Sequence, residues 1–191
     1  MTDRMDELRS EIARRVAAGF DNRDEIVDRG REYACYCLER PDIATAAVGI
    51  TDEELAEHHR VQRCWTRPTD CDRLDRAFAE LEEEGIFARQ NFTCCSTCGH
   101  AQLRQETTTA QQAGIAVVGY VFYHEQDTER AVFGDGVYLG FGAVADGTES
   151  IRNVGRRVVR ALEHNGLTAL WNGSYTDCIR VQLDWKRWRD G

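Results

Sequence analysis

The chain is poor in several residues on which common enzyme families depend. It contains one lysine, Lys186, so Schiff-base and P-loop chemistry are almost entirely excluded. Its four serines form no G-x-S-x-G motif, and the nucleophile of an α/β-hydrolase is therefore missing. Both prolines, Pro41 and Pro68, precede the single C-x-x-C motif. A thioredoxin fold places a proline downstream of that motif, so we do not expect this fold.

The bulk composition excludes two classes of partner. The 191 residues are 42% hydrophobic and 30% charged, which is typical of one globular domain or of a small helical part joined to a larger one. The formal net charge of −9 would repel phosphates, so no nucleic acid partner is expected. No apolar run approaches the roughly 20 residues that cross a bilayer, and the acidic first residues do not resemble a secretory signal. We therefore expect a cytoplasmic protein with reduced thiols and no membrane partner.

Helical and extended patterns divide the chain into two parts. Residues 1–66 show the periodicity of three helices, and residues 67–191 begin with a fourth helix and then alternate strand and helix signals. A capping box predicts the start of the third helix immediately after Thr51, and the segment 69–72, beginning at Thr69, starts the fourth. We predict an N-terminal helical region over 1–66 and an α+β domain over 67–191, expected as one compact unit. The fold class is α+β, with N-terminal helices followed by a mixed, mostly antiparallel five-stranded sheet and helices packed on one side.

The most unusual stretch is "NFTCCSTCGH", residues 91–100, which holds three of the eight cysteines. Cys95 and Cys98 form a C-x-x-C motif at a predicted helix N-terminus, where amide N–H groups and the helix dipole favour a thiolate. This context permits thiol redox chemistry. Cys95, Cys98 and His100 are also of residue types that bind zinc, with Cys94 as a spare. A closed zinc site needs a second ligand pair from elsewhere in the chain, so no metal ligand is assigned. The third interpretation is a tightly packed strand-to-helix corner.

A second polar patch follows the predicted central strand. It comprises His124, Glu125, Asp127 and Arg130, held where a buried strand ends. His124 with Glu125 or Asp127 would form an acid–base pair, and Arg130 would bind an anion. The structural alternative is that Asp127 caps a short helix and Arg130 is solvated. Our joint hypothesis is that the strand end brings the sulfur atoms and the imidazole of His124 to a shared corner of the sheet.

The chain resembles a bacterial family, common in actinobacteria, that is known only as a domain of unknown function. The resemblance rests on three motifs, "NFTCCSTCGHA", "GYVFYHEQDTERA" and "LWNG". The resemblance extends from about Thr69 to Val181 and leaves the N-terminal helices outside it. It implies a bacterial protein and supplies no activity, substrate or cofactor.

Two functional hypotheses from different classes follow. The first is a non-catalytic binding or regulatory protein, of immunity type or with another protein partner, whose acidic charge suits a protein surface. The second is a zinc-binding module or a thiol- and histidine-dependent enzyme, which leaves open whether the protein is an enzyme. Zinc is the cofactor that the second hypothesis implies, and the oligomeric state is left open. The candidate binding residues shared by both hypotheses are Cys95, Cys98, His100, His124, Glu125, Asp127 and Arg130.

Overall fold

The structure is a computed structural model that describes residues 3–190. These residues form two compact units. One contains residues 3–66 together with 186–190, and the other is Arg67–Trp185. The packing thus divides the chain close to the predicted boundary, with the last residues grouped with the helices. The predicted organisation, a helical region over 1–66 and an α+β domain over 67–191 in one compact unit, stays a prediction.

The first unit consists of helices around one apolar core. Its α-helices are α1 (Arg4–Ala18), α2 (Arg23–Glu32) and α3 (Ala46–Gln62). A π-helical turn over Tyr33–Cys37 and a 3₁₀ turn over Pro41–Ile43 connect α2 to α3. The helical periodicity of the sequence explains the core, because residues spaced three or four apart in each helix are buried together. The fully buried members of this core are Leu8, Ile12, Ile26, Ala34 and Ala47.

The predicted start of the third helix is wrong. The helix α3 begins at Ala46, and Thr51 lies inside it with a fully buried side chain. A capping box is a local signal, whereas the apolar residues Ala47 and Ile50 extend the helix backwards because they pack into the core. The prediction at Thr69 is confirmed, since its side chain accepts from the backbone N–H of Asp72 in a complete capping box.

The second unit is a mixed sheet with helices. Its elements are α4 (Asp70–Glu83), β1 (Ile86–Arg89), α5 (Ser96–Gln112), β2 (Gly119–Phe122), α6 (Glu125–Val132), β3 (Val137–Ala143), α7 (Thr148–His164), β4 (Thr168–Leu170) and β5 (Ile179–Gln182). The strand order is β1-β2-β3-β5-β4, in which only the β1–β2 pair is parallel. The predicted α+β class and the mostly antiparallel five-stranded sheet are confirmed.

Helices lie on both faces of this sheet rather than on the single face that the sequence indicated. Along β2, Tyr120 and Phe122 share a buried cluster with Leu103 of α5. Gly119 faces the other way, where a Cβ would come within 2.7 Å of Val154 Cγ2 in α7. The reason is topological: α5 connects two parallel strands and must cross over one face, whereas α7 follows β3 across the opposite face. Among residues 3–190, no helix combines the length and apolar content that crossing a membrane requires.

Candidate functional site

A sharp turn between β1 and α5 presents the three cysteines of the 91–100 segment. Asn91 and Thr93 adopt the left-handed conformation, with φ of 49° and 61°. This conformation is uncommon outside glycine, and a β-branched residue such as Thr93 is strained there. The Thr93 hydroxyl donates to the carbonyl of Cys95 at 3.1 Å, which helps to hold the turn. The chain then enters α5 with Cys95 at the N-cap position.

The three sulfur atoms form a cluster that we call the thiol cluster, made of Cys94, Cys95 and Cys98. Their Sγ atoms all lie within 4.8 Å of one another, and the Cys94 and Cys98 sulfurs are 4.0 Å apart. Cys94 and Cys98 are exposed and Cys95 is half-buried; all three are reduced. The cluster is therefore open to solvent, and the interpretation of these cysteines as a sealed packing corner does not describe it.

The start of α5 sets the order in which the thiols ionise. The pKa of Cys95 lies below its usual value, chiefly because the backbone N–H of Cys98 stabilises the thiolate, with a further contribution from the Cys98 thiol. The neighbouring Cys95 and Cys94 sulfurs raise the pKa of Cys98 to about 11. The Cys95 thiol therefore loses its proton more readily than the Cys98 thiol.

Close packing of α5 on the sheet fixes where the cluster sits. Gly99 touches the ring of Phe122, and a Cβ at this position would lie 2.2 Å from the Phe122 Cε2 atom. No residue with a side chain fits there without movement of the ring. Because Gly99 follows Cys98 directly, this contact fixes the rotation of the first turn of α5, in which the Cys98 side chain is exposed.

His100 does not join the thiol cluster. Its Nδ1 is 3.0 Å from the Tyr120 hydroxyl, and its ring contacts Phe122 edge to face at a centroid distance of 4.9 Å. Successive helical residues rotate by 100°, so His100 points about 200° away from Cys98. Burial lowers the pKa of His100, with Arg104 as a second cause, and favours the neutral imidazole.

The second predicted patch forms the N-terminus of α6. Asp127 is buried and accepts from the backbone N–H of His124 at 3.1 Å. Its Oδ2 also lies 3.2 Å from His124 Nε2, while Arg130 approaches its other oxygen at 3.7 Å. Desolvation raises the pKa of Asp127 despite these partners. His124 Nδ1 is buried and makes no hydrogen bond to any described residue.

The two patches are neighbours along the backbone. The N–H of Glu125 donates to the carbonyl of Thr93 at 3.2 Å. The side chains nevertheless diverge, because Asp127 holds the His124 ring and the guanidinium of Arg130 stacks over Tyr138 at 5.8 Å. The shared corner of sulfurs and imidazole is therefore not formed in the described part of the chain.

The structure thus brings together only part of the predicted set. Cys95 and Cys98 meet as expected, and Cys94 joins them although sequence reasoning treated it as a spare. The signal for Cys94 was its spacing, since Cys94 and Cys98 are four residues apart across a helix start and can face one another. His100, His124, Glu125, Asp127 and Arg130 lie outside the thiol cluster, and their functional roles stay predictions.

Comparison with known proteins adds a family and no activity. No curated protein and no solved structure matches this chain. A family model described as a domain of unknown function, DUF6891, matches residues 1–189 and so includes the N-terminal helices that the motif resemblance had left out. The chain therefore belongs to the DUF6891 family of domains of unknown function.

Proposed function

We propose that this protein is a non-catalytic, metal-dependent binding protein in which the thiol cluster takes one thiophilic ion, zinc in the first instance. The observation that carries the proposal is the placement of three Sγ atoms within 4.8 Å of one another at the N-terminus of a 17-residue helix. Thiolates are soft ligands that select zinc and similar ions over magnesium or calcium. A cytoplasmic location is part of the proposal, because a reducing compartment keeps the thiols available.

The sulfur spacing is close to what zinc requires. A zinc–sulfur distance of about 2.3 Å in tetrahedral geometry separates two sulfurs by about 3.8 Å. The Cys94 and Cys98 sulfurs are 4.0 Å apart, so this pair needs almost no movement. The other sulfur separations are at most 4.8 Å, so small side-chain rotations would bring them to the distance that zinc requires. Zinc binds cysteine as the thiolate, and the lowered pKa of Cys95 reduces the free-energy cost of removing its proton.

Three protein ligands would leave the fourth zinc position open. No further histidine, cysteine or carboxylate of residues 3–190 belongs to the cluster. An open position on zinc holds a water molecule or an incoming ligand. A thiolate, imidazole or carboxylate from a protein partner would fill it, and this would join the metal-binding and partner-binding roles in a single surface.

Dithiol exchange is the second candidate function, and the asymmetric ionisation of Cys95 and Cys98 favours it. The Cys95 thiolate would attack a substrate disulfide and release one substrate thiol. Cys98, after losing its proton to solvent, would then attack the mixed disulfide and release the second thiol. The substrate disulfide is reduced to two thiols as the Cys95–Cys98 pair is oxidised. The third sulfur, Cys94, has no part in this cycle, and for this reason we favour metal binding.

A zinc titration tests the proposal. The reduced, chelator-treated full chain is titrated against a chromophoric competitor, and the stoichiometry is checked by native mass spectrometry. We expect one zinc per chain, with a loss of about 100-fold or more in affinity for Cys94→Ser, Cys95→Ser and Cys98→Ser. Cobalt substitution should give a thiolate charge-transfer band that these variants weaken.

Two exposed cysteines outside the cluster provide matched controls. Cys37→Ser and Cys64→Ser change the thiol count in the same way and should bind zinc as the unchanged chain does. Absence of stoichiometric zinc, or equal losses in the control variants, would overturn the proposal. If the protein bound no zinc but reduced a small disulfide in a reaction that requires Cys95, dithiol exchange would replace metal binding as the proposed function.

A further inference from the structure

A cleft of about 600 Å³ opens on the side of α5 away from the thiol cluster. We call it the His100 cleft. Its volume falls within the range of small-molecule sites in proteins. Its principal lining residues are His100, Arg104, Tyr120, Phe141, Ile151 and Tyr175. They combine one cation and two hydroxyl-bearing rings with an apolar wall, which is the usual make-up of a site for a small organic molecule.

A polar group is built into the floor of the cleft. The Tyr120 side chain is 2% exposed, and its hydroxyl lies 3.0 Å from His100 Nδ1. Arg104 Nε donates to the same hydroxyl at 3.4 Å. When His100 Nδ1 carries its ring proton, it donates to the Tyr120 oxygen as Arg104 Nε does, and the single Tyr120 O–H is left to donate to a ligand in the cleft. This arrangement holds the guanidinium at the edge of the floor.

Two glycines of β3 make room for this group. A Cβ at Gly142 would lie 2.4 Å from the Tyr120 hydroxyl, and one at Gly140 would lie 3.3 Å from His100 Nε2. The aromatic rings therefore rest directly on the strand backbone. Larger residues at either position would push Tyr120 or His100 into the cleft and fill it.

The charge in the cleft is positive, although the whole protein is acidic. Arg104 carries the one formal charge among the lining residues within 3–190. It forms no ion pair with a described carboxylate, not even with Asp146, which borders the neighbouring cleft. Several other arginines of this unit form ion pairs, as Arg157 does with Glu84 at 2.6 Å. An exposed guanidinium beside a hydroxyl donor recognises a carboxylate with charge-assisted hydrogen bonds.

We infer that the His100 cleft binds a small aromatic or aliphatic carboxylate, with its anionic group on Arg104 and the Tyr120 hydroxyl and its apolar body against Phe141 and Ile151. A single unpaired cation matches the single negative charge of a carboxylate better than the two charges of a phosphate monoester. The site is separate from the thiol cluster, and it assigns His100 a positioning role for Tyr120 in place of the metal-ligand role considered from the sequence.

The test is a titration of the metal-free full chain with benzoate, followed by amide resonances of the cleft residues. We expect saturable shifts with a Kd of about 1 mM or below, which is ordinary for a ligand of nine non-hydrogen atoms. Benzamide, which has the same shape without the charge, should bind at least about tenfold more weakly. Phenyl phosphate should bind no more tightly than benzoate.

Three variants sharpen the test. Arg104→Gln should weaken benzoate binding about tenfold, and Tyr120→Phe about fivefold. The control Arg76→Gln removes an exposed arginine from α4 of the same unit and should leave the affinity unchanged. Unsaturable shifts, equal binding of benzamide, tighter binding of phenyl phosphate, or an equal effect of Arg76→Gln would each overturn the inference. Zinc affinity should be unaltered in Arg104→Gln, so failure of this site and failure of the thiol cluster are distinguishable.

Discussion

The N-termini of α5 and α6 are alike in position and in their polar residues, but they differ in whether those side chains are bonded within the protein. Each follows a strand of the sheet and carries potential ligands in its first turn. At α6, the carboxylate of Asp127 is buried and bonded to the backbone and ring of His124. At α5, Cys95 is half-buried at the N-cap position, and the neighbouring thiols are open to solvent. The first terminus uses its polar groups for its own structure, whereas the second leaves them available.

This contrast separates a structural polar cluster from a candidate binding site. Both stretches attract attention in the sequence, because histidine, cysteine and carboxylate residues crowd together in each. What differs is whether each polar atom already has an internal partner. Buried groups with good partners are expensive to disturb, while exposed groups without them change stability little and remain free to bind.

The largest expected change in the free energy of unfolding comes from the packing of α5 against the sheet. Gly99→Ala should lower the free energy of unfolding by about 3 kcal/mol, because the added methyl group collides with the Phe122 ring. Urea denaturation measures this change. The matched control is Gly49→Ala in α3, where a Cβ meets no atom within 4 Å. It should raise the free energy of unfolding by roughly 0.5–1 kcal/mol, since alanine is the better helix former. Equal effects at the two positions would contradict the packing role of Gly99.

The next effect compares the two helix starts directly. Asp127→Ala should lower the free energy of unfolding by about 2 kcal/mol, because the buried N–H of His124 and its ring lose their acceptor. Cys95→Ala at the corresponding position of α5 should change it by less than about 0.5 kcal/mol. Both values come from urea denaturation of metal-free protein. A larger loss for Cys95→Ala than for Asp127→Ala would reverse the comparison.

The pH dependence of Asp127 is a smaller effect with a definite sign. Its folded-state pKa is raised above 3.8, so between 3.8 and the raised value the folded protein holds a proton that the unfolded chain has lost. The stability that this group adds is present at low pH and is lost as the pH rises through that window. The unfolding free energy of the unchanged protein minus that of Asp127→Asn should therefore fall with rising pH. If this free-energy difference rose with pH across the same window, burial would not be the dominant influence on the pKa of Asp127.

The smallest effect is on the reactivity of the exposed thiols. In metal-free protein, the rate of Cys95 alkylation by iodoacetamide should reach half its maximum below pH 9.0, and that of Cys98 near pH 11. Peptide mapping by mass spectrometry resolves the two rates. In Cys95→Ala the Cys98 midpoint should move down towards 9.0, because the sulfur that chiefly raised its pKa is gone. An unchanged Cys98 midpoint would show that the two thiols are not coupled.

The sequence predicted elements whose signals are local and strong. The helix start predicted at Thr69 is one of these, because α4 begins at Asp70 directly after it. The helix start predicted at Thr51 was wrong because core packing outweighs its capping-box pattern and extends α3 back to Ala46. Local hydrogen-bonding patterns carry no information about which side chains the core will bury.

The thiol cluster was predicted only in part, and the reason is conformational. Cys94 reaches its neighbours because Asn91 and Thr93 take left-handed backbone angles, which the identity of a threonine would not suggest. The exclusion of His100 follows from helical rotation alone and could have been worked out from the sequence. The position of the His124 ring could not be worked out from the sequence, because it depends on Asp127 being buried beside it.

The grouping of residues 186–190 with the N-terminal helices affects the order in which the chain can fold. Gln62 exchanges hydrogen bonds with the backbone of Arg189, and His58 Nε2 lies 3.1 Å from the carbonyl of Arg187. Trp65 stacks edge to face on Trp188 at 5.4 Å. The sheet-bearing unit is thus an insertion within the helical one, and it is fully translated before the helices receive their last contacts. On the ribosome, residues 3–66 can contact residues 186–190 only after the whole sheet-bearing unit between them has been synthesised.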